Sequence, residues 1–167
     1  MNLTELKTEL VNDPAVLGYA QLIAAGDDTA LAAILGLLNT PTYTVVKKRI
    51  ITALGILDAC EGGPMAAAAI LDKLETAAAS IPALKWVMRA INGNGIDIGS
   101  AGAQGMLDLL SATIGGNVLT TTEAGRLKTL GQGLGSRAEV VWGTGTVISN
   151  IDLIRTIYKD DGSGRAW

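Results

Sequence analysis

The sequence predicts an all-α (mainly α) domain of about eight or nine short helices, with at most two short extended segments. Three observations carry that expectation. Ala, Leu and Ile far outweigh aromatics: 49% of residues are hydrophobic, 4% are aromatic, and there is no Phe. Ala and Leu lose little on entering a helix, so this balance suits closely packed helices. Polar residues that can cap a helix recur three positions before an acidic one, at Asn2/Glu5, Thr120/Glu123, Ser136/Glu139 and Ser149/Asp152. Between these punctuation marks the apolar residues fall mostly at helical spacing.

Taken in order, Asn2 and Glu5 open a first helix whose apolar face is Leu3, Leu6, Leu10 and Val11. Asn12-Asp13-Pro14 ends it, and Pro14 fits the first turn of a second helix that stops near Gly26. Asp27 or Asp28 caps a third helix carrying Leu31, Ile34, Leu35 and Leu38 and closing at Asn39. After the Pro41 turn a fourth helix is expected over Tyr43–Cys60, with Val46, Ile50, Leu54 and Leu57 as its buried stripe. Glu61-Gly62-Gly63 breaks the chain, Pro64 starts a fifth helix through Ala79, and a sixth covers Ala83–Ile91. Asn92-Gly93-Asn94-Gly95 is a turn. Beyond it Ile96-Asp97-Ile98 reads as short and extended, and Ser100 caps a helix carrying Met106, Leu107, Leu110 and Ile114. Thr120 opens a helix ending at Gly131, and Ser136 opens a single turn to Val141. Thr146-Val147-Ile148 is a second extended candidate, and Ser149 caps a last helix with Ile151, Ile154 and Ile157. The chain, 1–167, is read as one domain, with Asn92–Gly95 as the candidate subdomain seam and 160–167 as a loosely held tail.

A chain of 167 residues buries ~70% of its unfolded surface, enough for a core without a metal or disulfide. Its 13 basic and 16 acidic residues give a net charge of −3, which offers no general attraction for nucleic acid or an anionic membrane. Histidine is absent, and with it go Ser-His-Asp and Cys-His nucleophile systems, His-based zinc sites and the usual general base near neutral pH. Cys60 is the single cysteine, so no internal disulfide or Cys zinc set is expected; it reads as a small buried residue near a helix end. Asn2–Leu10 alternates Glu5, Lys7 and Glu9 with leucines, unlike a secretory signal. The longest uncharged run, Thr29–Val46, is interrupted by Asn39-Thr40-Pro41-Thr42, well short of the ~20 apolar residues of a spanning helix. A soluble protein is expected.

Few stretches look like chemistry. Gly131-Gln132-Gly133-Leu134-Gly135-Ser136 lacks the strand–turn–long-helix setting of a dinucleotide loop and the Lys of a phosphate loop, so it reads as a flexible connector. Gly26-Asp27-Asp28 reads as helix capping and Asp160-Asp161 as solvated charge. Asp58, Asp72, Glu75, Asp97, Asp108 and Asp152 are scattered among capping and exposed positions, and no enzyme activity or cofactor is expected. Lys47-Lys48-Arg49 is the one basic run, but three consecutive helical residues point about 100° apart and make no stripe. Lys85 and Arg89 do share a face. Trp86, Trp142 and Trp167 are separated; Trp142 is either a core plug or an exposed anchor. The candidate partner contacts are therefore Trp142, Trp167, Lys47, Lys48 and Arg49.

The pattern Leu3-x-Glu5-Leu6-Lys7, Asp13-Pro14, Gly18-Tyr19 and Leu38-Asn39 is followed by Met106-Leu107-Asp108, Gly115-Gly116 and Val118-Leu119-Thr120. Thr129-Leu130-Gly131 then leads to Ser136-Arg137-Ala138-Glu139, Val147 and Ile151. Nearly end to end, this resembles small helical proteins encoded among the virion structural genes of tailed bacteriophages, mostly without an assigned function. Ser-Arg-Ala-Glu is its most specific piece and marks fold, being a capped short helix. Val140-Val141-Trp142 departs from the shorter aliphatic–glycine ending usual there, and the middle is more Ala-rich. The resemblance implies a virion component of the neck or tail, made in the bacterial cytoplasm and working in several copies. Its partners would be other virion structural proteins and further copies of itself in a ring, with neither nucleic acid nor membrane. The rivals are a capsid decoration protein and a non-packaged DNA- or host-factor-binding protein.

Overall fold

A computed structural model describes residues 1–112 and 116–158. Among them are ten helices and four short strands, so the mainly-α expectation holds, with more extended structure than the sequence suggested. The strands form two-stranded sheets, β1 (Tyr43–Val46) with β4 (Gln132–Gly135) and β2 (Ile50–Ile51) with β3 (Ile96–Asp97). The chain divides into two compact units, Met1–Val45 with Leu134–Trp167, and Val46–Gly133. The Asn92–Gly95 turn lies inside the second unit, so the division does not fall at the expected seam.

Unit 1 contains α1 (Leu3–Asn12), α2 (Tyr19–Ala25), α3 (Asp28–Asn39), α9 (Arg137–Trp142) and α10 (Asn150–Ile157). The predicted caps are in place: Asn2, Ser136 and Ser149 each accept a backbone N–H from the third helical residue, whose carboxylate returns to the cap. Asp27 caps α3 through the Ala30 N–H. The second helix starts five residues later than expected from Pro14. The Asp13 carboxylate accepts N–H bonds from Leu17 and Gly18, both at 2.7 Å, and folds that stretch into a turn. Leu6, Leu10, Tyr19, Ile34, Leu38, Ala138, Leu153 and Ile157 form the core. On α10 the buried side is Leu153, Thr156 and Ile157, while the predicted Ile151 and Ile154 face outward. Thr146-Val147-Ile148 joins no strand. Its backbone is satisfied by a side chain instead: Asn39 donates to the Ile148 carbonyl at 2.9 Å and accepts its N–H at 2.8 Å.

Unit 2 contains α4 (Ala53–Ala59), α5 (Gly63–Ala78), α6 (Pro82–Asn92), α7 (Ala101–Ser111) and α8 (Thr121–Thr129). The largest correction lies at its start, where the expected Tyr43–Cys60 helix is two strands followed by the short α4. Thr44, Val45, Val46, Ile50, Ile51 and Thr52 are β-branched, which disfavours a helix and suits a strand. Ile50 and Ile51 pair with Asp97 and Ile96, and Thr52 caps α4 through the Gly55 N–H. Consequently Val46, Ile50 and Leu54, expected to be buried, are exposed, and Ile51 and Ile56 take the core positions. The Ile96 segment is extended as predicted, whereas the Gly131–Ser136 connector contains β4. Ser100 and Thr120 cap α7 and α8 as read. Cys60 is buried at the C-cap of α4.

Backbone approach fixes the corner before α7. A Cβ on Gly99 would stand 1.8 Å from the Lys47 carbonyl oxygen, and one on Gly131 would meet the Gly99 backbone at 3.1 Å. The Lys47 N–H donates to the Gly131 carbonyl at 2.8 Å. Three chain segments therefore meet where only glycine leaves room.

Candidate functional site

In Ser136-Arg137-Ala138-Glu139 of unit 1 each residue has a task. Ser136 is buried and caps α9. Ala138 is fully buried against the core. Glu139 accepts the Ser136 N–H at 3.0 Å through one oxygen and the Gly145 N–H at 2.9 Å through the other. Arg137 donates from Nε to Glu9 Oε1 at 2.7 Å and from Nη2 to Oε2 at 3.0 Å. In that two-pronged pair Glu9 is buried and Arg137 half-buried, with side-chain exposures of 5% and 13%. The bond to Glu9 raises the guanidinium pKa.

Tyr19 belongs to the same neighbourhood. Its hydroxyl is buried without a hydrogen-bond partner among the described residues. Burial first, and then the Glu9 charge, push its pKa well above the usual phenol value. Both Glu9 oxygens accept from Arg137, so the pair ties α9 to α1. Glu9 was missed in the sequence, though a signal was there: it lies three residues after Leu6 and next to Leu10, on the buried face of α1.

Of the predicted contact residues, Trp142 belongs to unit 1 and Lys47, Lys48 and Arg49 to unit 2. Trp142 ends α9, half-buried against the unit 1 core, and with Val141 it borders a shallow depression shared with Glu5, Thr8, Asn12 and Pro14. Trp167 and the rest of the expected tail, 160–167, lie outside the described residues, as does Ile114. Lys47, Lys48 and Arg49 form the non-helical connector between β1 and β2, which corrects their expected place on a helix. Arg49 uses its N–H on Asp97 Oδ1 at 2.9 Å and its guanidinium on the Leu130 carbonyl at 3.0 Å. Arg49 thereby serves the fold of unit 2.

Two outward features were undervalued in the sequence. On α10 of unit 1, Ile151 and Ile154 sit three apart on one exposed side, with exposed Val147 just before the helix. On α6 of unit 2, Trp86 is 67% exposed and the Arg89 guanidinium lies 5.1 Å from its ring centre. Trp and Arg are the residue types that most often anchor protein interfaces.

Three of the six scattered carboxylates have structural partners. Asp97 accepts backbone N–H groups, Asp108 pairs with Lys128, and Asp152 completes the α10 cap. Among the described residues no group of three or more His, Cys, Asp or Glu is placed to hold a metal ion, and no helix is long and apolar enough to cross a membrane. Comparison with known proteins found no matching family model, no matching curated protein and no matching solved structure.

Proposed function

We propose that this chain is a structural part of a tailed-bacteriophage virion, a neck or tail component that acts in several copies through protein–protein contacts. The sequence resemblance supplies the virion setting. The observation that supports the contact reading is the outward apolar side of α10 with the residue leading into it, where Ile151 is 62% and Val147, just before the helix, 72% exposed. Such a row gains by being covered, and repeated copies using one pair of patches close naturally into rings. A stable interface of this kind buries roughly 1,200–2,000 Å² in total.

Mass spectrometry of purified particles, with copy counting, tests the proposal. A copy number matching a neck or tail ring is expected; one matching the head lattice would favour capsid decoration, and absence from intact particles would overturn the virion reading. The contact reading has its own test. Ile151→Asp should weaken self-association about tenfold or more, the equivalent of ~1.4 kcal/mol, in sedimentation measurements. The non-packaged DNA-binding reading has less support, because Arg49 is engaged with the Leu130 carbonyl.

A further inference from the structure

Unit 2 holds a partly open apolar pocket of about 360 Å³ between α4, α5, α6, β3, α7 and α8. Ile56, Leu84, Ile91, Leu110 and Leu127 wall its interior, and all five are buried. Protein interiors are close-packed, with few voids larger than a water molecule, and a dry apolar cavity of ~150 Å³ already admits benzene. A void more than twice that size is a place for something to sit.

Water is a poor occupant, because an interior water needs two to four polar partners. Only Asp97 and Ser100 bring polar side chains to the wall, and both have work elsewhere. Asp97 Oδ1 accepts the Arg49 N–H at 2.9 Å and the Gly99 N–H at 3.2 Å; Ser100 Oγ accepts the Ala103 N–H at 3.1 Å. The nearby Ile98 carbonyl takes the Gln104 side-chain amide at 2.7 Å. The wall is therefore almost entirely apolar, and the Asp97 carboxylate repels an anion.

We propose that unit 2 binds a small uncharged apolar molecule in this cavity, of the size of a two-ring aromatic hydrocarbon or a medium-length alkyl alcohol. Access lies along α7, where Gly102 is exposed and Ala103 and Met106 are half-buried. A Cβ at Gly102 would meet nothing within 4 Å, so this side is uncrowded. A helix or an extended peptide needs an open groove or a sheet edge, which the buried wall does not provide.

The methionines report on this directly. Of the four, Met106 lines the cavity, whereas Met65 is 84% exposed and Met88 lies on a separate surface depression. The full chain, with 13C-labelled methionine methyls, is titrated with naphthalene and separately with 1-decanol. The expected result is a saturable shift of the Met106 resonance while Met65 stays in place. Ala103→Leu narrows the cavity and should weaken binding ~tenfold. The proposal is overturned if Met106 does not move, if Met65 and Met106 move together without saturation, or if a folded Ala103→Leu variant binds as tightly. Should that variant fail to fold, the titration of the native chain decides alone. The outcome does not depend on where the protein works, so it stands apart from the virion reading.

Discussion

Unit 1 draws its core from two stretches of chain far apart in sequence, whereas unit 2 is one continuous stretch, and their ion pairs differ accordingly. In unit 1 the Glu9–Arg137 pair has a buried carboxylate and joins residues 128 positions apart, and the Asn39–Ile148 hydrogen bonds span 109. In unit 2 two ion pairs among the described residues have an exposed partner: Lys73, at 44%, with Glu123, and Asp108, at 70%, with Lys128. Aliphatic packing alone can order a continuous run of helices, because neighbouring elements meet at small loop cost. A unit assembled from two distant segments must also choose which surfaces meet. An apolar face is indifferent to small shifts; a two-pronged buried pair is not. The lesson is one of specificity more than net stability, since a buried pair is often no better than well-packed apolar residues in its place.

The largest expected effect tests that distinction. Arg137→Ala leaves the Glu9 charge buried without its partner and should destabilise the protein by about 3–5 kcal/mol in urea unfolding. Glu9→Leu combined with Arg137→Met should cost far less. A single substitution as mild as the double one would break the comparison.

A somewhat smaller loss is expected in unit 2 from Gly99→Ala, about 3 kcal/mol, because the new methyl would collide with the Lys47 carbonyl. Gly105→Ala, where a Cβ meets nothing within 4 Å inside α7, should instead stabilise by about 0.5–1 kcal/mol. Together the two separate backbone closeness from ordinary helix propensity.

The smallest effect belongs to the surface pair. The Lys73 ammonium, and then the Thr120 N–H, hold the Glu123 carboxyl pKa below its usual value. A depressed folded pKa adds stability above the ordinary carboxylate range, ~4.3, and loses it as pH falls through the lowered value. Lys73→Gln should flatten this acid limb while changing stability little near neutral pH, where exposed pairs contribute modestly. A large neutral-pH loss would show that unit 2 too depends on an ion pair.

The parts of the fold that were legible are those decided within a few residues. A cap is a four-residue event, so Asn2, Ser100, Thr120, Ser136 and Ser149 could be placed without knowing anything else. The Tyr43–Cys60 segment misled because Val46, Ile50, Leu54 and Leu57 happen to repeat at helical spacing. What overrode that spacing was β-branching, together with a strand partner at Ile96-Asp97 far along the chain. For the candidate site, Trp142 and the Ser-Arg-Ala-Glu box stood out in the sequence. The partner of Arg137, the outward turn of Ile151 and the exposed Trp86 did not.

The sequence by itself determined the helical class, most helix starts and the absence of histidine chemistry, because composition and capping are local or global properties of the chain. Only the tertiary structure decided which face of α10 is buried, that Lys47-Lys48-Arg49 leaves the helix, that Glu9 meets Arg137, and that aliphatic side chains surround a cavity in unit 2. Each of these depends on what a residue packs against from a distant part of the chain. A periodic pattern can propose a face, but the neighbour that covers it chooses the side.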